Sequence, residues 1–448
     1  MGKMIRKNAN SCNFCSFQIR GFAAQAASKP LRGSSDVHST VLPNKLVVAS
    51  AESTTPISRV SILFNAGSRN ENYDNLGTTH VLRAAAGLTT KGSTTFAITR
   101  NIQQIGGNLS VTSDREVIAY TLEVTPNHLD TGLKFLQDVA TGQVFKPWEL
   151  DETATRLRED LARIPGQVRA MDLLHRAAFR SALGNSIFCP KHQIGRISPG
   201  TLQHYVASNF TTNRTAVVGV GIDHNTLCGY AQNLPIDSGA GKENSSPFVG
   251  GTEARLDRGG QWAHVAIATQ GEGWNTNPKE ALAYHVLQYA AGVGPWTKRG
   301  NNNGIIGKAI TGTLGEKPFG FGAFNATYSD TGLFGFILSA EARDAGKAIE
   351  AAVKTLRSGS LTSDDIARGK AQFRNDFLYW VENGENLAVD LGAQAALCRS
   401  VLSPAQIVAE IDAISASDVN AVAKKVASGK LSLAAVGNLA TVPHVDQL

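Results

Sequence analysis

The sequence predicts an α+β protein made of two copies of one unit. Three observations carry that prediction: a short repeat near the start of each half, strand-like runs that flank both copies alike, and a polar stretch between them. The chain has 448 residues, 42% of them apolar and 18% charged. That is long enough for more than one core and too apolar for wholesale disorder.

The repeat is the most informative signal. Residues 80–88 read His-Val-Leu-Arg-Ala-Ala-Ala-Gly-Leu, and residues 285–293 read His-Val-Leu-Gln-Tyr-Ala-Ala-Gly-Val. Six of the nine positions are identical at an offset of 205 residues. Ahead of the copies lie apolar runs, Arg59–Asn65 and Trp262–Ala268, which break into glycine turns at Gly67 and at Gly271 and Gly273. Behind them come further strand candidates, Val117–Val124 and Gly332–Leu338. Each is followed by a stretch with apolar residues at helical spacing, Leu129–Ala140 and Ala345–Leu356. Each half closes on another short strand, Thr215–Val220 and Leu431–Val436. Residues 235–261 are rich in Gly, Ser, Asn and charge and read as a hydrophilic linker. The expected domains are therefore 38–234 and 262–448.

The N-terminus has a different character. The first 35 residues carry Lys3, Arg6, Lys7, Arg20, Lys29 and Arg32, with no acid before Asp36. Basic, hydroxylated and acid-free, this stretch reads as a mitochondrial transit peptide, with Arg20-Gly21-Phe22-Ala23 as the processing site and residues 1–22 removed. Removal takes the formal charge from +6 to +2. With it goes any argument from basicity for a nucleic-acid partner. Cys12-x-x-Cys15 falls inside that leader, with no strand or helix pattern around it to support a metal or redox motif. Cys189, Cys228 and Cys398 are scattered and read as unpaired packing residues.

Other chemistries are poorly supported. No apolar run approaches the ~20 residues of a membrane-spanning helix. Gly292–Gly300 lacks the Gly-Lys-Ser/Thr ending of a phosphate loop, and Pro295 removes an amide such a loop needs. There is no Gly-x-Ser-x-Gly, and the ten histidines are dispersed.

Residues 76–92, Leu-Gly-Thr-Thr-His-Val-Leu-Arg-Ala-Ala-Ala-Gly-Leu-Thr-Thr-Lys-Gly, resemble the segment G-x-x-H-x-x-E-H-x-x-F-x-G-T of the pitrilysin and mitochondrial processing peptidase family of zinc proteases. In that motif two histidines on one helix face bind zinc, and the glutamate takes a proton from the metal-bound water. Here His80 keeps the first ligand position. Arg83 stands where the base would be, and a guanidinium cannot accept a proton. Ala84 stands at the second ligand and has no lone pair. Glu159 lies, by spacing, where the family places its third ligand, and Arg83 and Glu159 become candidates for an ion pair in place of a metal. The resemblance implies no catalytic group and no metal in this chain.

The resemblance extends over essentially the whole chain after the leader, through Leu42–Ser50, Ala66–Arg69, Leu88–Gly92, Leu109–Ser113 and Phe324–Phe336. Within the family these segments are most similar to the non-catalytic core subunits of mitochondrial ubiquinol–cytochrome c reductase, complex III. That similarity implies two homologous halves, each an internally duplicated sheet with helices packed on one side. It implies a structural role on the matrix side of the inner membrane, beside core protein 1, cytochrome b, cytochrome c1 and the Rieske subunit. The haems and the iron–sulfur cluster would belong to those neighbours. It also implies a groove, shared with core protein 1, for the Rieske presequence, to which Tyr328, and more weakly Arg299, would contribute peptide-binding groups. The alternative within the family is an inactive, substrate-presenting subunit of a processing peptidase. Residues 300–315 do not form the unbroken glycine loop that the alpha subunit of that enzyme carries.

Overall fold

The computed structural model describes residues 37–448 except 54, 240, 242–243 and 295–303. The expected leader, residues 1–22, and Arg299 lie outside the described residues. All described residues fall in one compact unit.

The first half runs β1 (Val37–Val41), β2 (Val47–Ala51), β3 (Ser58–Phe64), α1 (Thr78–Ala84), α2 (Thr95–Gln104), β4 (Asn108–Ser113), β5 (Ile118–Val124), α3 (Leu129–Thr141), α4 (Pro147–Arg163), α5 (Gly166–Phe179), α6 (Pro199–Asn209), β6 (Thr215–Val220) and α7 (His224–Gln232). The second runs β7 (Glu253–Asp257), β8 (Trp262–Gly271), α8 (Pro278–Ala291), α9 (Ile305–Leu314), β9 (Phe319–Thr327), β10 (Gly332–Glu341), α10 (Ala345–Ser358), α11 (Ser363–Glu382), α12 (Gly384–Ala393), α13 (Pro404–Ala413), α14 (Ala416–Ser428) and β11 (Ser432–Gly437).

The two sheets have one topology. The first is ordered β1-β2-β6-β3-β5-β4 and the second β7-β11-β8-β10-β9. Without β1 the orders correspond strand for strand. In each sheet the last strand of the half pairs in parallel with an early one, β6 with β2 and β11 with β7. The remaining pairs are antiparallel. The repeat read from the sequence is thus a duplication of the whole half.

The two-residue period of the strands sorts their side chains onto two faces. In the first half Val60, Ile62 and Phe64 of β3 and Ile118, Tyr120 and Leu122 of β5 point into a core shared with the helices of that half. In the second, Val265 and Ile267 of β8 and Phe334, Phe336 and Leu338 of β10 do the same. The opposite faces are lined by smaller residues, Ala49, Ala216 and Val218 in one sheet and Ala266, Ala268 and Ala434 in the other.

Those small-residue faces are covered by an exchange. Helix α5, from the first half, lays Ala170, Leu174 and Ala178 on β8 and β11 of the second sheet. Helix α12, from the second half, lays Leu387, Ala388 and Leu391 on β2, β3 and β6 of the first. Each sheet therefore has its own helices on one face, as expected, and a helix of the other half on the other. The linker boundary is corrected: residues 235–261 contain β7, which completes the second sheet beside β11. Glu253-Ala-Arg-Leu-Asp257 looks polar because it is a half-buried edge strand, and charged side chains are tolerated on edges.

A polar cluster closes the seam between the halves. Arg69 is 9% exposed and Glu116 only 4%. The Arg69 guanidinium donates to Glu116 at 2.7 Å and, across the seam, to Ser329 at 3.1 Å and to Asp330 at 2.9 Å. Glu116 in turn accepts from the Ser329 hydroxyl at 2.6 Å and from its amide at 3.1 Å. The turn Ser329–Thr331, read from sequence as a tight turn beside Tyr328, is thus the docking point of the second half on the first.

Removing one partner of such a buried pair leaves the other charge desolvated and unmatched. Arg69→Met is expected to lower the free energy of unfolding by about 3–5 kcal/mol, read from urea denaturation. Arg69→Met combined with Glu116→Leu is expected to lose less than the sum of the two single changes. Additive losses would show that the seam does not act as one network.

Candidate functional site

Helix α1 carries the motif that in the resembled family binds zinc. It begins at Gly77, whose φ of +91° suits a residue without a Cβ. A Cβ there would lie 2.6 Å from the Cys189 backbone. The start of the helix is held by Glu71, fully buried in the loop before it. Its carboxylate accepts from the amides of Gly77 and Thr79, each at 2.7 Å, and from the Thr79 hydroxyl at 2.6 Å. A carboxylate is favoured at a helix N-terminus by the free amides and the helix dipole. Burial nonetheless pushes its pKa up, to about 7, against those donors.

His80 is the third residue of α1 and is 0% exposed. Its Nδ1 accepts a hydrogen bond from the Cys189 amide at 3.0 Å. That bond fixes the tautomer: with Nδ1 an acceptor, the neutral ring carries its proton on Nε2. A zinc-ligating imidazole needs the reverse, one nitrogen free for the metal and the other donating to an outer partner. The Nε2 atom is buried and makes no hydrogen bond. It points toward Asp160 of α4, whose Oδ2 is 3.8 Å away. Burial, together with Arg83 and Arg156, holds the pKa of His80 down at about 4, and Asp160 offsets this only in part.

The other positions fare differently. Arg83 is half-buried, and burial, with Arg156 nearby, lowers its pKa; the carboxylate that acts on it is Asp160. Ala84 is buried among apolar neighbours. Glu159 is corrected: its side chain is 61% exposed and pairs with Arg163 one turn on, at 3.8 Å. Neighbouring residues on a helix point about 100° apart, so Asp160 faces α1 where Glu159 cannot. The expected pairing of Arg83 with Glu159 gives way to a looser field between Arg83 and Asp160. The residues present do not fit a zinc ion. One histidine carries its proton toward the site, one carboxylate is half-exposed, and two guanidinium groups lie close by. Among the described residues no group of three or more His, Cys, Asp and Glu side chains converges as a metal site would require.

Sequence reasoning missed Glu71 and Asp160, and read Cys189 as a packing residue without its amide's bond to His80. Only Asp160 left a signal, as the acidic neighbour of Glu159. Tyr328 is found at the seam between the halves. Its hydroxyl lies 2.7 Å from His175 Nε2 of α5, while His175 Nδ1 bonds the Met171 carbonyl at 2.8 Å. Nδ1 therefore carries the proton and Nε2 accepts from Tyr328. Tyr328 is also among the residues lining a cavity beside α8, α11 and α12.

His285, the counterpart of His80 in the repeat, has a packing role. Its ring stacks between Trp274 and Phe373, with centroids 5.8 and 5.3 Å away. Burial lowers its pKa to about 4. A histidine held neutral in the native state but protonated near pH 6.5 when unfolded contributes stability above pH 6.5 that is lost as pH falls toward 4. Glu71, with its raised pKa, acts in the opposite direction between pH 7 and 4.5. His80→Gln keeps an acceptor for the Cys189 amide and is expected to flatten the fall of the urea midpoint between pH 6.5 and 4 by about one proton. An unchanged slope would show that His80 is not held neutral. Elemental analysis of the purified chain is expected to find zinc well below one ion per chain. Stoichiometric zinc that disappears in His80→Ala would contradict the site as described.

Comparison with known proteins shows the family. Residues 46–191 match the family model described as insulinase (peptidase family M16), and residues 196–373 match that of the peptidase M16 inactive domain. The chain is 37% identical to human cytochrome b-c1 complex subunit 2 over 96% of both chains. It is 39% identical to the rat protein of that name over 91% of both chains. A probable mitochondrial-processing peptidase subunit alpha-1 from Arabidopsis thaliana is 28% identical, over 91% of this chain and 83% of its own length. The chain therefore belongs to the M16 peptidase family, as a member without a working peptidase centre.

Proposed function

We propose that this chain is a non-catalytic core subunit of mitochondrial ubiquinol–cytochrome c reductase, complex III, needed for assembly and stability of the complex in respiratory electron transport. The observation that carries the reading is 37–39% identity to cytochrome b-c1 complex subunit 2 across more than nine-tenths of both chains. The processing-peptidase relatives stand lower, at 26–29%. A fold kept intact around α1, with Arg83 and Ala84 in place of base and ligand, is what a scaffold descended from a peptidase would retain.

In this reading the basic N-terminal stretch directs import and is cleaved near residue 22. The folded chain then sits peripherally on the matrix face beside core protein 1, against the cytochrome b, cytochrome c1 and Rieske subunits, which hold the redox groups. Among the described residues no helix is long and apolar enough to cross a membrane. A groove shared with core protein 1 would receive the Rieske presequence. Tyr328 would support its wall through the His175 bond rather than reach for the peptide with a free hydroxyl.

Gentle detergent extraction of a tagged chain from mitochondria tests the proposal. Co-purification with haem-absorbing subunits in a fixed ratio is expected. Recovery only with a soluble zinc peptidase would overturn the proposal.

A further inference from the structure

A cavity of about 600 Å³ lies on the helix side of the second sheet, closed toward the first half by Asp114 and Glu116. It is walled by aromatic rings: Trp274 before α8, and Phe373, Phe377 and Trp380 along α11. His285 forms part of the same wall through its stack between Trp274 and Phe373.

The carboxylates on the cavity are Asp114, Glu116, Asp390 and Glu410. Glu116 is matched by Arg69. Asp114 accepts from the amides of Glu116 and Val117 in its own turn. Asp390 of α12 is different. Its carboxylate accepts from Gln394 at 2.9 Å and meets no cation among the described residues. Burial raises its pKa to about 6, a sign that its charge is poorly compensated. The Thr327 hydroxyl, also on the cavity wall, is buried without a hydrogen-bond partner. No Lys or Arg is present among the described lining residues.

Aromatic faces attract cations through the negative face of the ring, most strongly where water is excluded. An unmatched carboxylate on the same cavity adds a point charge of the right sign, and the cavity volume lies in the range that small ligands occupy. We propose that this cavity is a binding site for a small organic cation with an apolar body, such as an aromatic or alkyl ammonium. The cation would sit against Asp390, and the apolar part against Phe377 and Trp380 and the edge of the Trp274–His285–Phe373 stack. His285, held neutral in its stack, offers an edge without repelling the charge. The inference is independent of the complex III reading, because it rests on the cavity alone.

Calorimetric titration of the purified full chain with benzyltrimethylammonium, and separately with neutral benzyl alcohol, tests it. Saturable one-site binding of the ammonium is expected, with the neutral compound weaker by about tenfold or more. Asp390→Asn keeps the shape of the side chain and removes its charge; it is expected to weaken the ammonium by about tenfold and leave the alcohol unchanged. Its denaturation midpoint is expected to hold or rise, because an uncompensated buried charge is removed. Trp380→Leu, at the rim of the cavity, supplies a second variant whose loss of affinity does not depend on Asp390. Absence of saturable binding, equal binding of charged and neutral probes, or affinities untouched by both substitutions would each overturn the proposal.

Discussion

Each sheet of this protein is buried on both faces, and one of those faces is covered by the other half. Helix α5 lies on the second sheet and α12 on the first. A sheet face lined by Ala49, Ala216 and Val218 can accept a helix at short range, because small side chains let the backbones approach. At about 25 cal/mol per Å² of apolar surface, neither half could leave that face in water without losing a large share of its stability. The halves therefore fold as one unit, and the polar seam has a narrower task. Hydrophobic contact is not directional, whereas the bonds from Arg69 and Glu116 to Ser329 and Asp330 are. They fix the orientation in which the two halves meet. Tyr328 and His175 repeat the device a few residues away, with a single tautomer on the imidazole.

This dependence explains how a catalytic helix can lose its chemistry and keep its place. Helix α1 is only seven residues long, too short to be stable by itself. It is held by Glu71 at its start, by the close approach of Gly77 to Cys189 and by α4 alongside. None of these contacts needs a metal. With Arg83 and Ala84 in place of the glutamate and second histidine of the family motif, His80 serves as a buried acceptor for the Cys189 amide. The same bond that stabilises the neutral ring places its proton on the atom a zinc ion would need. Arg83 and Arg156 oppose protonation of His80 by the same field with which they would oppose a cation.

Much of the fold was legible in the sequence because the duplication repeats hydrophobic periods as well as residues. The strands at 215–220 and 262–271 and the helix starting at Leu129 stand close to where alternation and helical spacing put them. Other features were hidden for physical reasons. Ala170, Leu174 and Ala178 mark one face of a helix, but spacing cannot say which sheet that face meets. Glu253–Asp257 looks like linker because an edge strand carries charge. At the site, the loss of base and ligand could be read from Arg83 and Ala84 alone. The exchange of Glu159 for Asp160 could not, because a one-residue step turns a helical side chain by about 100°, and spacing between distant motifs is not defined that finely. The tautomer of His80 was out of reach altogether, because it depends on an amide 109 residues further along the chain.

The duplicated histidines show what became of the two copies. In the first half the ring sits at the start of a short helix, with its proton turned toward a carboxylate and two guanidinium groups nearby. In the second, the equivalent ring lies in the middle of a helix of 14 residues, stacked between Trp274 and Phe373. That ring borders a cavity lined by aromatic side chains, whereas the first-half ring meets a crowd of charge. One copy has thus become electrostatically closed to cations, through Arg83 and Arg156. The other faces Asp390 and a wall of rings, an environment of the opposite sign. A dismantled metal site in one half and an aromatic cavity in the other are compatible because the sheets and the exchanged helices, rather than either histidine, carry the fold.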